Sequence, residues 1–251
     1  MASPVLVQVS GLRYSYGERV AVRGLSFEIR EGEILGFLGP NGAGKSTAIS
    51  CLAGVLGNYT GEMSFRGQPF RPATNLEDRR LFGVVPQDLA IYESLTAREN
   101  LNFFATLSGL AGAARDSAVA AALELAGLTD RADDLASTYS GGMKRRLNLV
   151  IGNLHSPSLL MLDEPTVGVD PQSRNHIFET LLKLRESGRT LLYTTHYMEE
   201  VQRLCDRIAI MNDGQVVAVG SAAELAIAAG TPNANLEQVF LHLTGRSLRD
   251  E

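Results

Sequence analysis

Cysteine is scarce in this chain: there are two in 251 residues, Cys51 and Cys205, each alone within an apolar-periodic segment. That spacing offers neither a metal-ligand set nor a disulfide framework and leaves buried free thiols, as expected in a reducing cytoplasm. An excess of positive charge is also missing. Lysine and arginine total 23 against 28 aspartates and glutamates, for a net charge of −5 and an isoelectric point near 5.5. This removes the general electrostatic basis for binding nucleic acid or an anionic membrane. No run approaches the roughly 18 apolar residues that a membrane span needs. The opening Met1-Ala2-Ser3-Pro4-Val5-Leu6-Val7 lacks the basic region and long apolar stretch of an export signal. The chain is therefore expected on the cytoplasmic side, with any membrane role exercised through a partner. Internal repeats, low-complexity tracts and long linkers are absent too. In the alanine-rich stretch 111–126, Val119, Leu123 and Ala126 fall at helical spacing, which marks a packed helix. What remains is an ordinary globular composition, long enough at 27.0 kDa to bury a sizeable core in one or two domains.

Residues 5–9, 25–29 and 61–66 alternate apolar and polar side chains and predict a small antiparallel sheet. Apolar runs at 34–38, 83–85, 159–162 and 190–195 are separated by helical patterns over 96 to about 126 and 172–186. Strands spaced by helices of this length predict a parallel sheet with crossover helices, an α/β fold. Asn212-Asp213-Gly214 joins two further short runs as a terminal hairpin. Residues 236–245 have apolar positions at i, i+3, i+4 and i+7 and predict a short amphipathic helix.

The chemistry starts at Gly39-Pro40-Asn41-Gly42-Ala43-Gly44-Lys45-Ser46-Thr47, a GxxxxGK[ST] phosphate loop between a buried strand and a helix start. Gly39 and Gly44 are expected to adopt backbone angles that a Cβ would forbid, turning successive amides toward phosphate oxygens. Lys45 reaches the β- and γ-phosphates of a nucleoside triphosphate and the Ser46 hydroxyl holds Mg²⁺. Asp163 and Glu164 close the apolar run 159–162, where an α/β sheet delivers ligand-facing side chains. Asp163 suits a Mg²⁺ ligand and Glu164 a general base toward the γ-phosphate. Taken alone, the pair also has a lesser reading as a cap before Pro165. Other positions carry bland readings by themselves: Tyr16 as a strand aromatic, Gln87 as a surface glutamine, His196 as a helix-start residue. The basic run Lys144-Arg145-Arg146 reads as a solvated helix face, and His155, His176 and Cys205 as structural.

Together and in this order, the motifs resemble the nucleotide-binding subunit of ATP-binding-cassette (ABC) transporters, from about residue 5 to residue 220. Tyr16 matches the family's adenine-stacking aromatic, and Gln87 the glutamine that contacts the metal and the attacking water. Ser140-Gly141-Gly142 matches the family signature, with Tyr139 and Met143 departing at its outer positions. Gly168-Val169-Asp170 is similar to the loop after the acidic pair, and His196 to the switch histidine that senses the γ-phosphate. The stretch Tyr139-Ser140-Gly141-Gly142-Met143-Lys144-Arg145-Arg146 resembles the exporter branch that includes antibiotic-resistance and nodulation-type ATPases.

The resemblance implies a P-loop NTPase core with an antiparallel β subdomain and an α-helical signature subdomain. The domain would span 1–225, with the helical subdomain inserted at about 88–152 and a short helical tail at 226–251. It implies ATP and Mg²⁺ as cofactors, with Ser46, Gln87 and Asp163 near the metal and Lys45, Gln87, Glu164 and His196 acting in hydrolysis. It also implies a head-to-tail dimer in which Ser140, Gly141 and Gly142 of a second copy complete each phosphate loop. A separate integral-membrane permease, docking on the segment 88–104 with Ile91, Tyr92 and Leu95 as apolar contacts or as core, would place the subunit on the inner face of the membrane. No nucleic acid is expected. Type-2 exporter ATPases, whose tail this one resembles, often continue into a longer extension, and the chain here stops at Glu251. Two other readings stand beside this one: an ABC ATPase serving a cytoplasmic assembly complex without a permease, and a nucleotide-binding scaffold without turnover.

Overall fold

The computed structural model describes residues 3–232, 234–245 and 248. Met1 and Ala2 of the opening segment, and Asn233, Arg246, Ser247 and 249–251 of the expected tail, lie outside the described residues. The elements run β1 Val5–Tyr16, β2 Arg19–Arg30, β3 Ile34–Leu38, α1 Lys45–Leu52, β4 Thr60–Phe65, β5 Gln68–Pro69 and α2 Leu76–Arg80. They continue with β6 Phe82–Val85, α3 Ala97–Leu107, α4 Gly112–Ala126, α5 Gly141–Asn153, β7 Leu159–Asp163 and α6 Pro171–Glu186. The last are β8 Thr190–Thr195, α7 Met198–Leu204, β9 Arg207–Asn212, β10 Gln215–Gly220, α8 Ala222–Ala228 and α9 Leu236–Thr244. They divide into two compact units, Met1–Arg79 with Gly188–Glu251, and Arg80–Ser187.

The first unit holds an antiparallel sheet in the order β2-β1-β4-β5. Its two long strands pair from Val5 with Arg30 to Tyr16 with Arg19 and extend beyond the segments that alternation predicts. The register shifts between Val9 and Leu12 and again between Leu12 and Arg13 explain the difference, since a bulge throws successive side chains out of strict alternation. In the same unit β3 lies between β8 and β9 and parallel to both, and β10 returns antiparallel to β9 as the predicted hairpin. Every residue of β3 and β8 is buried, which is why both read as continuous apolar runs without a period.

The C-terminal helices belong to the core of this unit. Leu236, Val239 and Phe240 of α9 and Leu225 and Ala226 of α8 pack with Leu38, Val201, Ile208 and Ile210. The sequence pattern identifies α9 but misses α8. Its signal is Ser221-Ala222-Ala223-Glu224, whose Ser221 Oγ accepts from Glu224 N while Glu224 accepts from Ser221 N, a reciprocal cap. Cys51 is buried in α1 and its thiol is pushed up to about 12 by burial. Cys205 is half-buried, with its thiol pushed well above the usual range by desolvation. Its Sγ lies 2.7 Å from where a Cβ on Gly36 would stand, so it fills the space that this β3 glycine leaves.

The second unit, Arg80–Ser187, carries β6 and β7 as a parallel pair, together with α3 to α6. A capping box at Thr96 and Glu99 starts α3, and Asp170 caps α6 by accepting from Ser173 N at 2.9 Å, with Pro171 in the first turn. Among the described residues no helix is long and apolar enough to cross a membrane.

If α9 is a core element, Phe240→Ala should lower the stability of the first unit by about 3–5 kcal/mol, read as a shift in the urea midpoint. A loss below about 0.5 kcal/mol would instead mark α9 as a surface appendage.

Candidate nucleotide-binding site

The phosphate loop links the end of β3 to the start of α1, and its shape is set by two carbonyl oxygens. A Cβ on Gly39 would stand 2.4 Å from Met211 O, and one on Gly44 2.7 Å from Ala21 O. Gly44 also sits at φ 97, in the left-handed region that favours glycine. Gly39 does not: it is glycine because of the close approach of β9, not because of the backbone angle expected from sequence. Ala43 O accepts from Gly214 N at 3.1 Å, tying the loop to the β9–β10 turn. Ala43 and Lys45 are buried, Pro40, Gly44 and Thr47 half-buried, and Asn41, Gly42 and Ser46 exposed at the mouth.

Helix α1 opens on Gly44 with no side-chain cap and no acidic residue in its first turn. The N–H groups of that turn therefore face the loop without a capping oxygen, which is the arrangement that takes an anion. The Lys45 ammonium, 4% exposed, donates to Gly39 O at 2.7 Å and Pro40 O at 3.1 Å, so its charge is held across the loop.

His196 is brought to the same place. Gly39 N donates to Thr195 O at 3.4 Å, so the histidine follows directly on the residue bonded to the first glycine of the loop. Beneath it lies a network the sequence reading missed. Glu200, 1% exposed, accepts from Tyr193 Oη at 2.9 Å and from Thr195 Oγ1 at 2.6 Å, and Thr195 Oγ1 in turn accepts from Tyr197 N at 3.0 Å. The backbone on both sides of His196 is thereby fixed to a buried carboxylate. An acidic residue one helical turn after the histidine was the available signal. Tyr16 ends β1 opposite Arg19. The Arg19 guanidinium lies 4.0 Å from where a Gly42 Cβ would stand, which puts this hairpin tip beside the loop. The Tyr16 ring is 52% exposed and meets Tyr14 edge-on at 4.9 Å, available as a flat platform rather than half-buried in a strand.

The remaining candidates lie in the second unit. Asp163 ends β7 and Glu164 follows it, both buried. Glu164 has φ 45, a left-handed backbone that costs a non-glycine residue on the order of 1–3 kcal/mol and that the surrounding fold must enforce. Ser140 is the N-cap of α5 and its Oγ accepts from Met143 N at 3.2 Å. Gly142 is packed inside its own chain: a Cβ there would stand 1.9 Å from Ser173 Oγ and 3.4 Å from Asp170 Oδ2, against the start of α6. Gly141 is exposed, with no heavy atom within 4 Å of its Cβ position. Tyr139, at the departing signature position, is buried and donates to Arg131 O at 2.5 Å.

The basic run Lys144-Arg145-Arg146 is not the solvated helix face that its composition suggests. Lys144 pairs with Glu93 at 2.7 Å, Arg145 donates to Gln87 O and to Val167 O, and Arg146 donates to Ala126 O and Gly127 O. Desolvation lowers the pKa of both arginines. The reading failed because charge patterning carries no information about carbonyls left free by neighbouring loops. His155 Nε2 meets Phe82 O at 3.1 Å and His176 sits against Gly127, structural positions whose pKa values are lowered first by burial.

A family model described as ABC transporter matches residues 22–167, more than half of the chain. The chain is 46% identical over 220 residues to the linearmycin resistance ATP-binding protein LnrL of Bacillus subtilis (strain 168), covering 88% of this chain and 70% of that one. It is 41% identical to the Nod factor export ATP-binding protein I of Rhizobium sp. (strain N33), covering 87% and 72%. Among solved structures, an ATP-binding subunit of an ABC transporter superposes with a TM-score of 0.84 at 30% identity, over 95% of this chain and 99% of that one. The cbiO1 protein of Clostridium perfringens, part of the ABC transporter complex cbiONQ, gives a TM-score of 0.81 at 27% identity, over 95% and 98%.

Proposed function

The chain belongs to the ABC transporter family as one of its ATP-binding, ATP-hydrolysing subunits, and from that we propose that it powers export through a separate membrane permease. The observation that carries the reading is the phosphate loop: an uncapped helix start, a buried lysine held across it, and His196 fixed at its edge. Export is supported by the relatives, one concerned with linearmycin resistance and the other with Nod factor export.

In this reading Lys45 and the first-turn amides of α1 bind the β- and γ-phosphates, and Tyr16 stacks on adenine. Glu164 takes a proton from the attacking water as its oxygen bonds to the γ-phosphorus, the bond to the bridging oxygen breaks, and ADP leaves. Gln87 orients that water and His196 senses the γ-phosphate. Mg²⁺ would take hard oxygen ligands, and the exposed Ser46 hydroxyl, the Asp163 carboxylate and the Gln87 amide are each of that kind. When bound, the ion supplies neutralisation of phosphate charge. Ser140, Gly141 and Gly142 of a second copy cap the triphosphate, so that ATP favours a closed dimer and hydrolysis releases it.

The permease is proposed to sit on an apolar patch of the second unit. Tyr92, 49% exposed, meets Phe103 and Phe104 at ring distances of 5.1 and 5.9 Å, and Phe103 and Leu107 line an open depression of about 570 Å³. Ile91 and Leu95, named beside Tyr92 from sequence, are half-buried. Such a patch on the surface of one chain supports a protein contact there.

Glu164→Gln should abolish hydrolysis while retaining ATP, and should run as a dimer in size-exclusion chromatography. A monomeric, fully active mutant would refute the role of Glu164. Tagged protein extracted from membranes should co-purify a multi-span protein, and Phe103→Asp should lose it while keeping ATP hydrolysis by the subunit alone. A purely soluble partner set would instead support an assembly ATPase without a permease.

A further inference from the structure

We propose that Arg145 is a positioning residue for hydrolysis: it holds the Gln87 segment to the helix that carries the signature residues, and its second bond, to Val167 O, anchors the guanidinium that does so. The inference rests on the role given above to Gln87. One guanidinium serves two loops, with Nη1 donating to Gln87 O and Nη2 to Val167 O at 3.3 Å. Asn148, three residues on and so on the same face of α5, accepts from Ala90 N at 3.0 Å and donates to Pro86 O at 3.3 Å. The Lys144 ion pair with Glu93 continues the same seam. The backbone from Pro86 to Ala90 is thus bonded to α5 at both ends, while the Gln87 side chain stands exposed at its centre.

The consequence follows from geometry. Helix α5 begins at Ser140, Gly141 and Gly142, the residues that would meet the second copy's nucleotide. Any displacement of its first two turns moves Arg145 and Asn148, and with them the Gln87 carbonyl and the Val167 carbonyl, three residues beyond Glu164. A guanidinium is suited to this because its planar fork reaches two acceptors at once, whereas an ammonium is a single point charge on a flexible stem. The signature helix is therefore coupled to the water-orienting residue of its own chain by side chain to carbonyl bonds.

The test is a double-mutant cycle on the full chain, with kcat and equilibrium ATP affinity measured for Arg145→Lys, Gln87→Ala and the pair. Arg145→Lys should lower kcat about tenfold with ATP affinity within about twofold of wild type, and should cost less than about twofold once Gln87 is alanine. If the lysine variant fails to fold, Arg145→Gln, which keeps one donor, enters the same cycle. A purely structural role predicts losses that multiply, or a kcat loss matched by an equal loss of ATP affinity, and either result overturns the inference. Full activity of Gln87→Ala alone would sink the reading of Gln87 and this inference with it. A defective Gln87→Ala combined with additive losses would overturn only Arg145.

Discussion

Two main-chain oxygens, Met211 O and Ala21 O, stand where side chains of Gly39 and Gly44 would have to be, and the nucleotide site depends on that contact. At these two glycines β9 and β2 press closely on the loop and hold its backbone in place. Lys45 is buried and bonded to loop carbonyls rather than dispersed in solvent. A donor set held in place before a polyphosphate arrives needs less rearrangement than water does. The same packing reaches His196 through Gly39 N and Thr195 O, and from there the buried Glu200. The carboxyl ends of β3 and β8 therefore fix the phosphate loop and His196 together.

The second unit is organised around α5 in the same manner. Its N-terminus carries Ser140 and Gly141 at the surface, its first turn is pressed on Ser173 through Gly142, and its next turn binds the loops bearing Gln87 and Val167. Arg145, Arg146 and Asn148 of this helix bond backbone groups of neighbouring loops, and Lys144 pairs with Glu93. Buried carbonyls and amides outside helices and strands need such partners, and here the partners come from one helix face. That arrangement ties the start of α5 to the loops bearing Gln87 and Val167.

Much of this was legible in the sequence. The phosphate loop, the acidic pair at 163 and 164, the helix following Asp170 and the hairpin around Asp213 all follow from local rules, in which residue type and spacing act within a few positions. The features that escaped are those set by distant neighbours. Gly39 carries no mark distinguishing close approach from unusual backbone angle, since Met211 lies far off in the chain. Arg145 resembles any surface arginine until the carbonyls of Gln87 and Val167 are placed beside it. Strands β1 and β2 outran their alternation because bulges near Val9 and Leu12 reset the pattern. Helix α8, by contrast, was missed despite a local signal, the Ser221 and Glu224 cap.

In the proposed dimer each phosphate loop is half of a site, completed by the signature of a second copy. Complementation of two inactive subunits tests it most directly, pairing Lys45→Ala with Gly141→Asp. The aspartate has open space in its own chain, since nothing lies within 4 Å of the Cβ position, so it obstructs only what docks there. In a mixed dimer one intact loop faces one intact signature. With half the dimers mixed and one good site in each, mixing should restore roughly a quarter of wild-type hydrolysis. Two inactive proteins that remain inactive when mixed, although they assemble together, would contradict it.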